Sequence, residues 1–179
     1  SLLAAPGDFV KDIKIEELDF KIPEVKKIDL NQNLKYYSIY SDKFPITYLE
    51  ITLYAGEADT GHRGIEIPQL AAEVLKFGGS KNFPEEKFTE KLESLGASFG
   101  ISSDYDKISL TLSYLSRDEE TILNLVSDLI QNPNYSEVAF TNGKKKMNEV
   151  IQRRNERTES IGFRKAKELI YRNLLAGQI

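Results

Sequence analysis

The order of strand-like and helix-like segments constrains the fold of this chain most strongly. Runs rich in β-branched and aromatic residues come in two groups, and segments with apolar residues at helical spacing follow each group. The resulting order is β-β-β, α-α, β-β, α-α-α. Because strands and helices are grouped rather than alternating, the pattern predicts an α+β fold with a mainly antiparallel sheet.

One predicted strand also shows which of its faces is covered. In residues 46–55, Leu49, Ile51, Leu53 and Ala55 alternate with more polar residues, so this set is predicted to face helices. Residues 97–103 and 107–115 predict a hairpin with its turn at 104–106. The remaining two strands are predicted at 26–30 and 34–40.

Capping residues and glycines mark the predicted helix ends. Pro68 fits the first turn of a helix that Gly78 and Gly79 end, and Pro84 opens a second helix that ends at Gly96. The sequence also predicts a capping box of the form Ser-x-x-Glu at Ser116–Glu119, a cap at Ser136 for a long helix, a last helix from about residue 160 to Leu174, and a loop at 56–64.

Composition narrows the function classes. The chain has 179 residues, which suits one ordinary domain, and a net charge of −4, which gives no indication of a nucleic-acid partner. It has no cysteine, so disulfides and thiolate zinc sites are excluded, and no segment is long and apolar enough to predict a membrane span. It has one histidine, His62, which is predicted to be a surface residue.

Residues 1–25 are predicted to be an N-terminal extension, with spaced apolar residues among charges and Pro23 near its end. Residues 26–179 are predicted to form the folded domain. The first seven residues fit a loop, an expression scar or the tail of a cleaved export signal. The last of these interpretations favours the periplasm or cell envelope over the cytoplasm.

Several short motifs follow one another in an informative order. Residues 53–59 (LYAGEAD), 92–98 (LESLGAS), 129–133 (LIQNP) and 147–151 (MNEVI) resemble, in that order, segments of the N-terminal half of M16 metallopeptidases, the insulinase, pitrilysin and mitochondrial-processing group. The resemblance extends over most of the chain and is closer to bacterial M16-like subunits that lack the zinc motif. It implies the M16 domain fold, with helices packed on one face of the sheet, and a domain that is incomplete at its C-terminus.

The resemblance also identifies the positions of a degenerate zinc motif. Active members carry His-x-x-Glu-His, whereas here Gln69 and Glu73 occupy the two zinc-ligand positions and Ala72 occupies the catalytic glutamate position. Glu149 corresponds to the third ligand, 149 − 73 = 76 positions after Glu73. A chain with one histidine cannot form a two-histidine zinc site, and alanine cannot act as a general base. No catalytic residue, metal or cofactor is therefore expected here.

A different segment is the candidate peptide-binding site. In active relatives the strand that corresponds to residues 97–103 pairs through its backbone with extended substrate, which points to Phe99, Gly100, Ile101 and Ser102. The alternative is an ordinary hairpin strand. The resemblance further implies a partner, either a second M16 half or a separate subunit that carries His-x-x-Glu-His.

Three functions fit these observations. The first is a non-catalytic M16-like subunit that pairs with a zinc-bearing partner and helps to hold peptide substrate. The second is an active metallopeptidase with an altered, oxygen-ligand metal site at Gln69, Glu73 and Glu149, although a hydrated polar cluster is the simpler account of these residues. The third is a purely structural assembly subunit, like the core proteins of respiratory complexes.

Overall fold

A computed structural model describes residues 22–60 and 66–171 of the chain. The chain divides into two compact units, with the boundary between Phe44 and Pro45. His62 and the first 21 residues fall outside the described ranges, so the predictions made for them are not addressed by the structure. The division at residue 25 that the sequence indicates also stays a prediction.

The first unit contains an antiparallel hairpin. Strand β1 spans Lys26–Asp29 and strand β2 spans Lys35–Ser38, with Ile28 opposite Tyr36. The turn between them is closed by a backbone hydrogen bond of 3.0 Å from Leu30 N to Leu34 O. Both strands were expected at this place in the sequence, and the second is shorter than the 34–40 run.

The second unit contains a three-stranded antiparallel sheet. Strand β3 spans Ile46–Leu53, β4 spans Ser98–Ser103 and β5 spans Ile108–Leu115, and their order in the sheet is β3-β5-β4. The β4–β5 hairpin thus forms where it was predicted. Because β5 pairs on both sides, β3 and β4 are the outer strands of this sheet.

Six helices accompany these strands in the described part of the chain. Among them, no helix combines the length and the apolar character needed to cross a bilayer. Their bounds are Glu57–Thr60 for α1, Ile67–Gly78 for α2, Glu85–Ser94 for α3, Glu119–Gln131 for α4, Glu137–Arg153 for α5 and Thr158–Tyr171 for α6.

The core lies between one face of the sheet and helices α3 and α4. Alternate residues of β5 enter it, and the opposing residues Leu49, Ile51 and Leu53 of β3 are partly buried against it. Ala55 lies beyond the end of β3 and is exposed. This arrangement confirms the α+β fold with helices on one face. The fully packed members are Phe88, Leu92, Ile108, Leu110, Leu112, Tyr114, Ile122, Leu125, Val126 and Leu129.

Most predicted helix ends are confirmed. Gly79 and Gly96, which follow α2 and α3, both have positive φ angles, of 63° and 61°. Left-handed backbone of this kind favours glycine, because it has no Cβ. Ser136 caps α5, since its hydroxyl accepts a hydrogen bond of 3.1 Å from Ala139 N. The last helix begins at Thr158, close to the expected position.

Two local predictions were wrong. Residues 116–118 form a 3-10 turn, and no side-chain cap precedes α4. The Ser116 hydroxyl instead pairs with that of Thr47 at 2.9 Å, so a contact across the fold replaces the predicted capping box. Residues 57–60 form the short helix α1 rather than a loop. The backbone N–H of Ala58 donates to Tyr105 O at 2.8 Å, which ties this turn to the β4–β5 hairpin.

Candidate functional site

Helix α2, which carries the degenerate motif, packs closely against α5. A Cβ placed on Gly143 of α5 would lie 3.1 Å from Cγ2 of Val74 and 3.3 Å from Cδ1 of Leu70. Near the other end of α2, a Cβ on Gly78 would lie 3.3 Å from Cβ of Ala139. The C-terminal residues of α2 therefore contact the N-terminal residues of α5, which means that the two helices run antiparallel. Gly78 and Gly143 permit their close approach, because neither has a side chain.

The C-terminal end of α2 is fixed by the segment that precedes α5. The side-chain amide of Asn134 donates to Gly78 O at 3.1 Å, and its backbone N–H donates to Gly79 O at 2.9 Å. A Cβ on Gly78 would lie only 2.1 Å from the backbone oxygen of Asn134. This junction allows no side chain at position 78, and it sets the position of α2 relative to α5.

A polar network next to this junction centres on Asp128 of α4. The side-chain amides of Asn82 and Asn132 donate to its Oδ1 at 2.8 Å and 3.0 Å. Ser80, whose side chain is fully buried, lies beside the same carboxylate. The Ser80 hydroxyl, followed by the amides of Asn132 and Asn82, holds the pKa of Asp128 below its usual value of 3.8, against the opposing effect of desolvation. The network stabilises the loop that ends α2.

The degenerate motif lies on one face of α2, with three different environments. Gln69 is exposed, and its Nε2 donates to Oε1 of Glu57 at 3.2 Å. Ala72 is buried, with 5% of its surface exposed. Glu73 is partly buried, and its Oε2 has no hydrogen-bond partner among the described residues. Gln69 is thus brought to Glu57 of α1, a contact that the sequence did not predict.

Glu149, which the sequence resemblance assigns to the third ligand position, lies on α5. Its side chain is 46% exposed, and its Oε2 is 4.0 Å from Nζ of Lys146. It borders an open surface depression together with Lys145, Asn148 and Gln152 of the same helix. Within residues 22–60 and 66–171, no cluster of three or more histidine, cysteine, aspartate or glutamate side chains is arranged to hold a metal ion.

The residues at the motif do not fit the zinc ion that active family members carry. Zinc sites are built mainly from imidazole and thiolate donors, and catalytic zinc sites need a base beside the metal-bound water. At these positions the chain offers the amide of Gln69, which already contacts Glu57, the methyl group of Ala72 and one carboxylate of Glu73. These side chains therefore do not support hydrolysis at a bound zinc ion.

Strand β4, which carries the predicted peptide-binding residues, is an outer strand of its sheet. Phe99 lies opposite Leu112 and Ile101 lies opposite Leu110, and both are packed against the core. Within the described ranges no strand pairs with the other side of β4, and its backbone makes no hydrogen bond beyond those with β5. Helix α2 lies beside this strand. An outer strand presents unpaired N–H and C=O groups, which can pair with an extended chain.

The two faces of β4 differ. Because side chains alternate along a strand, Ser98, Gly100 and Ser102 lie on the face opposite to the core. Ser98 and Ser102 are exposed, and Gly100 is partly buried. A Cβ on Gly100 would lie 2.9 Å from Oγ1 of Thr111 on β5. The four predicted residues therefore form one short segment, in which only Gly100 and Ser102 lie on the open face.

Sequence reasoning missed the residues that position this region. Glu57 was part of a recognised motif, but its partner Gln69 is 12 positions away and no periodic pattern joins them. The side chains of Asn82 and Asp128 are 46 positions apart. The one usable signal was the Gly78-Gly79-Ser80 run, which predicts the end of a helix. It does not predict which distant residues bind to that helix end.

Comparison with known proteins gives a family match. The model of a family described as insulinase (peptidase family M16) matches residues 72–178, which is 107 of the 179 residues. No curated protein matches the sequence.

Solved structures share the fold. A peptidase M16 inactive domain from Pseudomonas fluorescens is similar with a TM-score of 0.73 at 17% identity, over 86% of this chain and 37% of that chain. A protease from Helicobacter pylori is similar with a TM-score of 0.69 at 16% identity, over 78% of this chain and 34% of that one. The chain thus spans little more than a third of the length of these solved chains.

Proposed function

Because the chain belongs to the insulinase family of peptidases, family M16, we propose that it is a non-catalytic bacterial member of that family. In this proposal it pairs with a zinc-bearing partner that carries His-x-x-Glu-His. It holds an extended peptide along the free edge of β4 while the partner supplies the hydrolytic chemistry.

The observation that carries the proposal is the state of the motif on α2. Gln69 bonds to a carboxylate of its own chain, and Ala72 is buried without any group that could accept a proton. Hydrolysis by a family member requires ligands that hold the metal and a base that activates its water. The similar domain from Pseudomonas fluorescens is itself described as inactive, which is consistent with a non-catalytic role for a chain of this fold.

The free edge of β4 supports the peptide-holding role. An added strand is recognised mainly through backbone hydrogen bonds, so this mode does not need a catalytic side chain. Residues 98–103 provide such a backbone, because they pair only with β5 among the described strands. Helix α2 lies beside the same strand, so a bound peptide would pass near the former active-site helix.

Exposed apolar residues support the pairing role. Helix α6 has no buried residue, and Phe163, Leu169 and Ile170 are each more than two-thirds exposed. Several large apolar side chains exposed on one helix commonly mark a protein interface. Since the similar solved chains are much longer than this one, a second M16 half or a partner subunit is the occupant that we propose.

The proposal is tested with a quenched fluorescent peptide and three protein samples, all with added zinc. The samples are this chain alone, an M16 chain with His-x-x-Glu-His from the same genome, and the two co-expressed. We expect no chelator-sensitive cleavage by this chain alone, and faster cleavage by the co-purified pair than by the companion alone. Stoichiometric metal in this chain together with cleavage would instead support the altered-metal alternative.

Peptide binding is tested separately with N-methylated peptides. Each N-methyl group removes one backbone donor, and an added strand directs only alternate donors toward its neighbour. We expect methylation at every second position to weaken binding and methylation at the positions between to leave it unchanged, which provides the matched control. Absence of any peptide affinity would favour the purely structural alternative.

A further inference from the structure

Gly100 is the one glycine within β4, the candidate peptide-binding strand. It lies opposite Thr111 in the register of β4 and β5, and the Thr111 hydroxyl is 3.5 Å from Gly100 O. A Cβ at this position would approach Oγ1 of Thr111 to 2.9 Å, closer than ordinary packing allows. Glycine within a strand weakens it, since it contributes no side chain to cross-strand packing. Its presence leaves a gap on the open face.

Only small side chains surround Gly100 on that face of the strand. Its neighbours along the strand on the same face are Ser98 and Ser102, and Thr111 beside it is exposed. Phe99 and Ile101 face the core and are therefore not available to a bound peptide on the open side. A large side chain that reaches across Gly100 from an added strand would thus meet the side chain of Thr111, whose Oγ1 lies nearest to Gly100, without first meeting another bulky group.

We propose that the β4 edge selects extended peptides that carry an aromatic residue opposite Gly100. This inference rests on the proposed peptide-holding function. An aromatic side chain on one strand can cover a glycine on the neighbouring strand, because the ring shields the exposed backbone and fills the missing side-chain volume. The same ring would rest on Thr111, since aromatic and β-branched side chains pair favourably across strands.

The inference is tested with labelled peptides of an alternating threonine and valine host sequence that differ only at one central residue. That residue is phenylalanine, leucine or alanine, and affinity is measured by fluorescence anisotropy. A peptide can slide along an edge, so the central residue can reach its preferred register. We expect the phenylalanine peptide to bind about three- to fivefold more tightly than the alanine peptide, in the upper part of the range that one aromatic cross-strand pair provides.

Two variants locate the effect. Gly100→Ala places a methyl group in the gap and is expected to reduce the phenylalanine-to-alanine preference to about onefold, because the space for the ring is then filled. Ser113→Ala, on the same face of the neighbouring strand β5 and outside the candidate peptide-binding residues, is the control and is expected to keep the preference. Should Gly100→Ala fail to fold, the wild-type chain still gives an answer. An aromatic ring over Gly100 shifts its Hα resonances upfield, and the leucine peptide does not.

The outcomes separate this inference from the proposed function. Equal binding of all three peptides with no ring-current shift at Gly100 would overturn the aromatic preference and leave peptide binding intact. Binding of none of them would overturn the peptide-holding function and the preference with it.

Discussion

The side-chain amide of Gln69 donates a hydrogen bond to the carboxylate of Glu57, with 3.2 Å between Nε2 and Oε1. This contact joins α2 to α1 at the position that the sequence resemblance assigns to the first zinc ligand. One turn further along α2, Ala72 is buried. This face of the helix therefore makes polar and packing contacts within its own chain.

Ala72→Glu, which returns the family's catalytic carboxylate, is expected to destabilise the chain. Ala72 is only 5% exposed, so the new side chain must bury a charge or displace its neighbours, at a cost of at least about 2 kcal/mol. The free energy of unfolding from urea titration measures this. Gln69→Ala at an exposed site is the control and should change stability by about 0.5 kcal/mol or less. Equal effects of the two substitutions would show that Ala72 is not packed as described.

Gly78→Ala is expected to disrupt the junction between α2 and α5. The added Cβ would lie 2.1 Å from the backbone oxygen of Asn134, and backbone cannot yield as a flexible side chain can, so we expect a loss of about 2 kcal/mol or more. Gly162→Ala in α6 is the matched control, because nothing lies within 4 Å of its added Cβ. That substitution should stabilise the helix by about 0.5–1 kcal/mol. A lower unfolding temperature for Gly78→Ala and a higher one for Gly162→Ala would confirm the close contact at position 78.

Asp128 should contribute to the acid sensitivity of the fold. The Ser80 hydroxyl and the amides of Asn132 and Asn82 lower its pKa from 3.8. A group with a lowered folded-state pKa stabilises the fold above its unfolded pKa, and this contribution is lost as the pH falls through the folded value. Asp128→Asn should therefore be less stable than the wild type at neutral pH, and the difference should shrink as the pH falls below 3.8. Urea midpoints at several pH values measure it, and a constant difference would contradict the assignment.

Phe88 and Phe99 should be energetically coupled. Their ring centroids are 5.4 Å apart in an edge-to-face arrangement with an interplanar angle of 70°, and such pairs contribute about 0.5–1.5 kcal/mol beyond area burial. A double-mutant cycle with Phe88→Leu and Phe99→Leu measures this coupling. Since Phe99 anchors β4 to α3, Phe99→Leu should also speed amide exchange across residues 98–103. Additive effects of the two substitutions would contradict a direct contact.

Sequence patterns predicted the helix ends well where the hydrogen bonds and backbone angles that form each end involve only neighbouring residues. Gly79 and Gly96 end α2 and α3 with positive φ angles, and Ser136 caps α5 with its own hydroxyl. Each of these depends on residues within one helical turn. The ordered set of weak motifs then indicated the M16 fold, which the family match and the similar structures confirm.

Contacts between residues far apart in the sequence determine the features that were not predicted. Ser116 fits a capping box by sequence, but its hydroxyl forms a hydrogen bond with the hydroxyl of Thr47, which is 69 positions away. Helix α1 resembled a loop because the N–H groups of its first two residues, Glu57 and Ala58, donate to carbonyls of the β4–β5 turn, which are distant in sequence. The Gln69–Glu57 contact was unpredictable for the same reason. A site built from such contacts leaves no periodic pattern in the sequence.

Zinc titration with a simultaneous cleavage assay shows whether this chain holds a hydrolytic metal, which we propose it does not. The purified chain is titrated with Zn²⁺ by calorimetry while a quenched peptide reports hydrolysis. We predict no stoichiometric zinc binding and no chelator-sensitive cleavage. One equivalent of tightly bound zinc, together with cleavage that a chelator abolishes, would instead show that the chain is an active metallopeptidase.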